Sequence, residues 1–296
     1  MTFDHLKDWI GRVEMRTDTA IAAPLAGLAA TLDHDTPPWP AGELPPLGHW
    51  LHFLPNAPQR DIGEDGHPHK GGFLPPVPLP RRMWAGSDMR FLAPIPIGAE
   101  MRRTSTIEAV EHKAGRSGEM VFVSLRHEIA TDAGVAIREK QDIVYREAAR
   151  PGEAPPPSSA DPLPAADWTR GVIPDPVLLF RYSALTFNGH RIHYDRPYCR
   201  EAEGYPGLVV HGPLTATLLM DLVLRNLGSG SEGRRVAGFR FRARRPLFDT
   251  APFTLNAANR GDGEIDGWAV GPDGQVAMTA EFAVTPGADR PRADTP

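Results

Sequence analysis

Two short stretches in the second half of the sequence carry groups that can move protons and stabilise negative charge. Residues 187–195 read Phe-Asn-Gly-His-Arg-Ile-His-Tyr-Asp, and residues 207–214 read Gly-Leu-Val-Val-His-Gly-Pro-Leu. The imidazole of His193 can take or give a proton near neutral pH. The amide of Asn188 can orient a water molecule but cannot act as a base. Together these groups are the parts of a proton-transfer site.

The second stretch leads into a long apolar segment, so Gly212 marks a predicted helix start. The free N–H groups there, at the positive end of the helix dipole, can hold a developing oxyanion. Glycine also lets a ligand approach the backbone closely. A single loop histidine is more often a surface or capping residue. The combination of His190, His193 and the His211-Gly212 pair favours an enzyme site.

No cofactor or metal is predicted. His190 and His193, or His67 and His69, could be metal ligands, but no convincing carboxylate or thiolate set accompanies them. No GxGxxG loop follows a predicted strand and no GxxxxGK[ST] loop is present. A GxSxG turn for a serine nucleophile is also lacking.

The first half is predicted to begin with helices and to continue with antiparallel strands. Helical spacing of apolar residues predicts Asp4–Arg12 and Thr19–Leu32 as helices, with Pro24 as an interruption. A Pro-rich loop follows from Pro37 to about Pro80. Alternating polarity then predicts strands at Met101–His112, Met120–Thr131 and Val135–Tyr145.

The second half is predicted to repeat this scheme. Val177–Leu185 has strand-like composition, and Gly212–Leu227 is a long apolar helix that Gly228 ends. The strands that follow are Val236–Arg244, Phe253–Asn259, Glu264–Val270 and Gln275–Val284. We infer a tandem repeat of one α+β unit, in which each antiparallel sheet wraps around a largely apolar helix.

The Pro-rich stretch 150–166 is the clearest domain boundary, because it favours extended backbone and has no apolar periodicity. The predicted division is therefore an N-terminal domain at 1–149, a linker at 150–166, a C-terminal catalytic domain at 167–286 and a tail at 287–296. A long surface loop within one domain is the alternative interpretation of the Pro-rich stretch.

Overall charge and composition exclude several classes of protein. The net charge of −5 and the pI near 6.1 argue against a nucleic-acid-binding surface. No apolar run is long enough to cross a membrane, and the first residues do not resemble a secretory signal. Cys199 is the single cysteine, so no internal disulfide can form. A cytoplasmic location is the expectation.

The order of these motifs resembles the MaoC-like hot-dog hydratases and dehydratases. Asn-Gly-His-Arg-Ile-His-Tyr-Asp at 188–195, followed by Val-Val-His-Gly-Pro-Leu at 209–214 and a long helix, carries the resemblance. With Leu-Pro-Arg-Arg-Met-Trp-Ala-Gly at 79–86, the chain is similar to the two-repeat, type 2 hydroxyacyl-thioester dehydratase branch. The resemblance implies a double hot-dog fold, with a degenerate first half.

The resemblance also implies an activity, the reversible addition of water to an enoyl-CoA thioester. In the wider family an Asp and a His share the proton work, and here those positions are Asn188 and His193. His193 is then the acid/base group, Asn188 positions the water, and His190 or Asp195 is a candidate for the second role. The Gly212 amide would stabilise the enolate-like oxygen. Mesaconyl-C4-CoA and itaconyl-CoA hydratases belong to this branch, so a short branched dicarboxylic acyl-CoA is expected.

Several further residues are candidates for binding the thioester. Trp84 and Arg82 can line the acyl or pantetheine tunnel, although core packing of Trp84 is equally consistent with the sequence. Arg82, Arg191 and Arg240 are candidates for a substrate carboxylate, and the strand arginines, Arg240 among them, also for CoA phosphates. The alternative for Arg240 is a solvated outer sheet face.

Other functions remain open at this point. They are a 3-hydroxyacyl-thioester dehydratase of fatty-acid or polyketide metabolism, a hot-dog acyl-CoA thioesterase and a non-catalytic acyl-binding module. Asp221, inside the long helix, is the candidate carboxylate for the thioesterase, but a single helix acid is more often exposed or paired. Two hot dogs in one chain can pair internally as a pseudo-dimer, and a homodimer is also expected.

Overall fold

The computed structural model describes residues 3–115, 118–148, 164–227 and 234–286. Ten strands occur in these residues. They are β1 (Val13–Thr19), β2 (Arg81–Phe91), β3 (Glu100–Gly115), β4 (Gly118–Thr131), β5 (Gly134–Arg146), β6 (Trp168–Val172), β7 (Arg234–Ala243), β8 (Phe253–Gly261), β9 (Glu264–Val270) and β10 (Val276–Pro286). All of their pairings are antiparallel.

The ten strands form one continuous sheet with an internal repeat. The order is β1-β3-β4-β5-β2-β7-β10-β9-β8-β6. Read inward from each edge, the first half runs β1-β3-β4-β5-β2 and the second half runs β6-β8-β9-β10-β7, which is the same order. The predicted tandem repeat and double hot-dog architecture are therefore confirmed, and the two halves pair internally.

The joint between the halves is the pairing of β2 with β7. Its register runs from Gly86 opposite Arg242 to Arg90 opposite Gly238. A Cβ atom at Gly86 would lie 2.4 Å from the Phe241 carbonyl oxygen, so only glycine permits this approach. Through this pairing, strand β2 of the first half lies next to strand β7 of the second half.

Four α-helices accompany the sheet in the described residues. They are α1 (Ala22–Thr31), α2 (Pro176–Leu185), α3 (Arg196–Glu201) and α4 (Gly212–Asn226). Short 3-10 segments lie at Asp4–Trp9, Gly48–Leu51, Gln59–Asp61 and Arg191–His193. The predicted helix at Asp4–Arg12 is thus a 3-10 turn, and the predicted helix at Thr19–Leu32 is shorter at both ends. Pro24 lies in the first turn of α1, where a missing N–H costs nothing.

The long helix α4 occupies the interior of the second half. Every residue from Leu214 to Val223 is buried, and α4 contacts β6, β8, β9 and β10. Leu219, Leu255, Phe239 and Phe282 belong to the same core. A helix enclosed by a curved sheet has no solvent face, which explains why its sequence is apolar nearly all round.

The first half differs from the expectation of a long helix within each sheet. In residues 3–115 the longest helix is α1, with ten residues, and it packs on α2 and on the Gly48–Leu51 turn. In the second half, helix α4 is the element before strand β7. The corresponding position before β2 holds an irregular chain with two 3-10 turns. The inner face of the first-half sheet is left to border a cleft.

The prediction of a strand at Val177–Leu185 is wrong, because these residues form α2. The side chain of Asp175 accepts hydrogen bonds from the backbone N–H groups of Val177 and Leu178, at 2.8 and 3.0 Å. Pro176 follows at the first helical position. An Asp cap followed by proline is a helix-start signal that the apolar, aromatic composition concealed. Strands β1, β2 and β6 had no predicted strand range.

The predicted domain boundaries remain predictions. Most of the 150–166 linker and the whole 287–296 tail lie outside the described residues, and residues 164–166 belong to neither helix nor strand. In the described part of the chain, no helix is both long and apolar enough to cross a membrane.

A buried carboxylate ties α4 to its surroundings. The Asp221 side chain is 1% exposed, and its oxygens lie 2.6 Å from Arg170 on β6, 2.6 Å from His34 after α1 and 3.0 Å from Arg225. Asp221 is therefore a paired structural group, as the alternative interpretation held, and its contacts join both halves.

Replacing this carboxylate should be costly. We expect Asp221→Ala to lower the free energy of unfolding by about 3 kcal/mol, because removing one partner leaves desolvated cations without their counter-charge. Chemical denaturation measures the loss. Asp266→Ala, which breaks the exposed pair with Arg260, is the control and should cost less than about 1 kcal/mol. Equal effects of the two changes would contradict this assignment.

Candidate active site

A cleft of about 1840 Å³ lies where the two halves meet. The first half contributes the loop around residues 62–74 and the beginning of β2, and the second half contributes residues 186–194 and the start of α4. Residues from both repeats therefore face the same space. His193, Asn188, Gly212, Arg82 and Trp84 all line this cleft.

His193 is held in one tautomer by its surroundings. It ends the Arg191–His193 turn, and its ring Nδ1 lies 2.7 Å from the Val209 carbonyl oxygen. Because a carbonyl can only accept, Nδ1 must carry the proton, and Nε2 keeps its lone pair. Burial lowers the pKa of His193 to about 4. The ring is thus a neutral base with one free lone pair at physiological pH.

His193 belongs to a row of four imidazoles. The ring centroids of His67 and His190 are 4.0 Å apart, those of His190 and His193 are 5.4 Å apart, and His211 stacks on His193 at 3.6 Å. The row ends at Ser183, whose Oγ lies 2.8 Å from His211 Nε2. Burial, reinforced by the neighbouring imidazoles, lowers the pKa of His190 to about 2 and that of His211 well below its usual range. Burial, with a smaller contribution from repulsion between the rings, therefore keeps the row neutral.

The start of α4 faces the cleft beside this row. Gly212 is the first helical residue, so its N–H has no partner within the helix, and Pro213 has no N–H at all. A Cβ atom at Gly212 would lie 3.9 Å from the Trp84 carbonyl oxygen of β2. His211 lies directly before the helix and supports His193 from behind.

Asn188 takes part in two hydrogen bonds within its own turn. Its side-chain oxygen accepts the backbone N–H of His190 at 3.0 Å, and the Asn188 backbone N–H donates to the Ser183 carbonyl at 2.8 Å. The amide is therefore used to shape the turn that follows α2. Asn188 lines the cleft, but its oxygen is already engaged.

Among the predicted binding residues, Arg82 and Trp84 line the cleft, whereas Arg240 does not. The Arg82 charge lies close enough to lower the pKa of both His67 and His190. Trp84 donates its Nε1–H to Ser87 Oγ at 2.9 Å. Arg240 is exposed on the outer face of β7 and pairs with Glu281, because alternate residues of a strand face opposite sides. The alternative interpretation of Arg240 therefore applies.

Arg191, the remaining arginine candidate, is held by an acid of its own segment. Its guanidinium lies 2.7 Å from the Asp195 carboxylate and stacks over the Tyr198 ring at 4.2 Å. The carboxylate of Asp195, four residues further along the chain, therefore already neutralises the Arg191 charge. Asp195 is correspondingly occupied and also caps α3.

The sequence reasoning missed Asp65, a carboxylate that the first half contributes. The Asp65 carboxylate lies 3.0 Å from His67 Nδ1, and the His67 ring contacts His190. In the described residues, Asp65, His67 and His190 each bring a ligand atom within 4.8 Å of the others, so they could hold a metal ion. The only sequence signal was an Asp-Gly-His triplet in a loop without periodicity.

A second buried carboxylate was also missed, on the inner face of the first-half sheet. Glu139 of β5 is buried and accepts from Ser87 Oγ at 2.8 Å and from the His49 ring at 3.1 Å. These partners outweigh the burial and lower the pKa of Glu139 to about 2. Arg103, Ser105, His127, Glu139 and Gln141 share this side of the cleft. The part of the cleft that replaces a long helix is thus polar and charged.

The fold and the cleft together define a class of protein. It is a double hot-dog protein in which a neutral histidine and the first amide of the long helix α4 line the same cleft. The model of the family "hydroxyacyl-thioester dehydratase type 2" matches residues 47–249. The chain belongs to this family, and it is therefore a hydro-lyase.

Individual relatives support the same assignment. The chain is 50% identical over 273 residues to the mesaconyl-C(4)-CoA hydratase of Chloroflexus aurantiacus, covering 92% of this chain and 95% of that one. It is 26% identical over 249 residues to the mitochondrial hydroxyacyl-thioester dehydratase type 2 of Schizosaccharomyces pombe, covering 75% and 80%. Among solved structures, a MaoC-like dehydratase from Phytophthora capsici has a TM-score of 0.67 at 15% identity, covering 97% and 98%.

The buried row predicts an acid-sensitive fold. The folded-state pKa of His193 is below the ordinary histidine value, so the stability that its neutral form provides is present above about pH 6.5 and is lost as the pH falls toward about 4. NMR titration should show the His193 ring titrating near pH 4. His193→Asn should remove that signal. A His193 titration near 6.5 would contradict the buried, neutral assignment.

Proposed function

We propose that this protein catalyses the reversible hydration of an enoyl-CoA thioester with a short, branched dicarboxylic acyl group, such as mesaconyl-C4-CoA. The observation that carries the proposal is the free Nε2 lone pair of His193 in the cleft that contains the Gly212 amide. The 50% identical relative of nearly equal length is a mesaconyl-C(4)-CoA hydratase. Itaconyl-CoA is a second substrate of the same chemical class.

The proposed chemistry needs one base and one anion site. His193 Nε2 takes a proton from water while the water oxygen bonds to the β-carbon. The double-bond electrons move toward the thioester carbonyl, and the Gly212 N–H stabilises the oxyanion that develops. The imidazolium of His193 then gives its proton to the α-carbon, and the carbonyl forms again. Water is added, and the enzyme returns to its neutral state.

The remaining predicted residues are assigned supporting roles. We propose that His211 supports the His193 ring by stacking, that Trp84 lines the acyl channel and that Asn188 shapes the loop. His190 lies between His67 and His193, and we assign it to lining the site. Arg240 is left out, since it lies outside the cleft.

A dicarboxylic substrate needs a cation near the reacting carbons, and Arg82 is the proposed partner. Its charge lies close enough to His67 and His190 to lower the pKa of both imidazoles. Arginine binds a carboxylate with two parallel hydrogen bonds. Of the three arginines considered from the sequence, Arg82 lines the cleft without the tight acidic partner that Arg191 has.

The first-half side of the cleft argues for a short acyl group. A long alkyl chain in this space would lie against the ionised Glu139 and the Arg103 guanidinium, and contact with apolar groups would remove water from those charges at a cost. The alternative is a 3-hydroxyacyl-thioester dehydratase acting on longer chains, which the family itself favours. For a thioesterase, the helix carboxylate Asp221 is unsuitable because it is buried among Arg170, His34 and Arg225.

Two further expectations belong to the same proposal. The two repeats already pair through β2 and β7, and we propose that two chains associate in addition as a homodimer. We also propose that the enzyme works in the cytoplasm, where CoA thioesters are made and the single thiol of Cys199 stays reduced.

The central test is the loss of the base. We expect wild-type protein to hydrate mesaconyl-C4-CoA, and we expect His193→Ala to lower kcat by about 10²- to 10⁴-fold, because general base catalysis is lost. Absorbance loss of the conjugated thioester measures the rate. His5→Ala, which changes an exposed histidine far along the sequence, should leave it unchanged. Normal turnover by His193→Ala would remove His193 from the mechanism, and faster turnover of long monocarboxylic chains would favour the dehydratase alternative.

The carboxylate contact is tested separately. We expect Arg82→Met to raise KM for mesaconyl-C4-CoA about tenfold or more, because a charge-assisted pair is lost. The KM for crotonyl-CoA, which has no free carboxylate, should change little. Arg138→Met is the control, because Arg138 is an exposed arginine that pairs with Glu128. Equal losses for both substrates would show that Arg82 does not bind the carboxylate.

A further inference from the structure

The site as described lacks a second group to hold the attacking water. His193 Nε2 can accept one of the two water hydrogens, and the other needs an acceptor if the oxygen is to point at the β-carbon. The Asn188 oxygen is already bonded to the His190 N–H. Asp195 caps α3 and pairs with Arg191. The first half also lines this cleft and can supply a second acceptor.

The first half places a carboxylate–imidazole pair in the same cleft. Asp65 Oδ1 accepts the backbone N–H of His67 at 2.9 Å, and Asp65 Oδ2 lies 3.0 Å from His67 Nδ1. An ionised carboxylate can only accept, so Nδ1 of His67 carries the proton and Nε2 keeps its lone pair. His67 and His193 thus have the same tautomer, each fixed by an oxygen at Nδ1.

The loop that carries this pair is docked on the catalytic segment. The Arg191 backbone N–H donates to the Asp65 carbonyl at 2.9 Å, and the Arg191 guanidinium donates to the Glu64 carbonyl at 3.1 Å. A Cβ atom at Gly66 would lie 1.9 Å from the Gly189 carbonyl oxygen, and Gly66 has a φ of +87°. Only glycine fits this contact. The loop is therefore seated against residues 189–191 by backbone contacts that no side chain can replace.

The charges around the pair suit a neutral acceptor beside a fixed anion. The hydrogen bonds from His67 hold the pKa of Asp65 well below its usual range, despite burial. Burial lowers the pKa of His67, with Arg82 and Lys70 acting in the same direction and Asp65 opposing them. His67 in turn lowers the pKa of His193, so the two imidazoles lie within electrostatic reach of each other.

Resting on the proposed hydratase function, we propose that His67 is a second catalytic residue, whose Nε2 accepts a hydrogen bond from the attacking water, and that Asp65 is its positioning residue. In this proposal the water contacts Nε2 of both His193 and His67, beside the His190 ring that touches each of them. Its proton moves to His193, its oxygen bonds to the β-carbon, and the same proton returns to the α-carbon. His67 only accepts a hydrogen bond throughout, so atoms and charge balance without a further reactant.

His190 is less suited to this role, although it lies between the two. In the described part of the chain, no hydrogen bond orients its ring, whereas Asp65 fixes the tautomer of His67. In this proposal the Asp65 carboxylate also replaces the acid that the wider family has at the position of Asn188. The second repeat has an amide at that position, and the first repeat brings the missing acid from outside.

The test compares His67→Ala and Asp65→Asn with the wild type on mesaconyl-C4-CoA. We expect His67→Ala to lower kcat by about 10²-fold with little change in KM, and Asp65→Asn to lower kcat by about tenfold, because a hydrogen bond to a charged partner is weakened. Free imidazole should restore part of the His67→Ala activity, and sodium chloride at equal ionic strength should not. His69→Ala, in an exposed histidine of the same loop, is the matched control and should behave as the wild type.

The outcomes separate this proposal from the one on which it rests. An inactive wild type with this substrate would overturn the proposed function. An active wild type with a fully active His67→Ala variant would overturn only the role of His67. A His67→Ala variant that melts at the wild-type temperature but gains nothing from imidazole would contradict the water-holding role. Loss of wild-type activity with EDTA, restored by Zn²⁺, would instead assign Asp65, His67 and His190 to a metal.

Discussion

The pairing of β2 with β7 is the constraint on which the rest of the structure depends. It joins two five-stranded repeats into one sheet and brings the first half against the start of α4. The approach is close enough at Gly86 that a side chain there would collide with the Phe241 carbonyl. Because of this joint, residues 186–194 of the second repeat and the loop around residues 62–74 of the first line the same cleft.

Burial then determines the chemistry of the cleft. Four imidazoles lie in a row with little access to water, and a charged ring there would lose its hydration and repel its neighbours. The row is therefore neutral at physiological pH, and the Val209 carbonyl decides which nitrogen of His193 is free. A ring with a depressed pKa is a weaker proton acceptor, but its Nε2 lone pair is available throughout the physiological pH range.

The two repeats have diverged in complementary ways. The second repeat keeps the long buried helix whose first amide faces the cleft, and it needs that helix for its own core. The first repeat has an irregular chain in the corresponding place. Glu139 and Arg103 of its sheet therefore line the cleft. Its loop brings Asp65 and His67 to the second-half residues across the joint. The described part of the first half has no long helix within its sheet, which leaves room for the cleft and lines it with polar groups.

Local sequence patterns were sufficient for much of this architecture. The apolar run of α4, the alternation in β3 to β5 and in β7 to β10, and the glycine turns between them depend on neighbours in the chain. The repeat and the family could be recognised from the same patterns. Val177–Leu185 was misassigned because apolar, aromatic residues suit both helix and strand, and the Asp175 cap decides in favour of the helix.

The sequence by itself determined the two motifs, His193 with the Gly212 helix start, since each is a contiguous stretch whose residue types carry their chemistry. Only the tertiary structure decided which candidates share the cleft. Arg240 was turned outward by strand alternation, Asn188 was used by its own turn, and Asp65 was brought more than a hundred positions along the chain to His190. Such choices depend on contacts between distant segments, and no local pattern encodes the register of β2 on β7 that sets them.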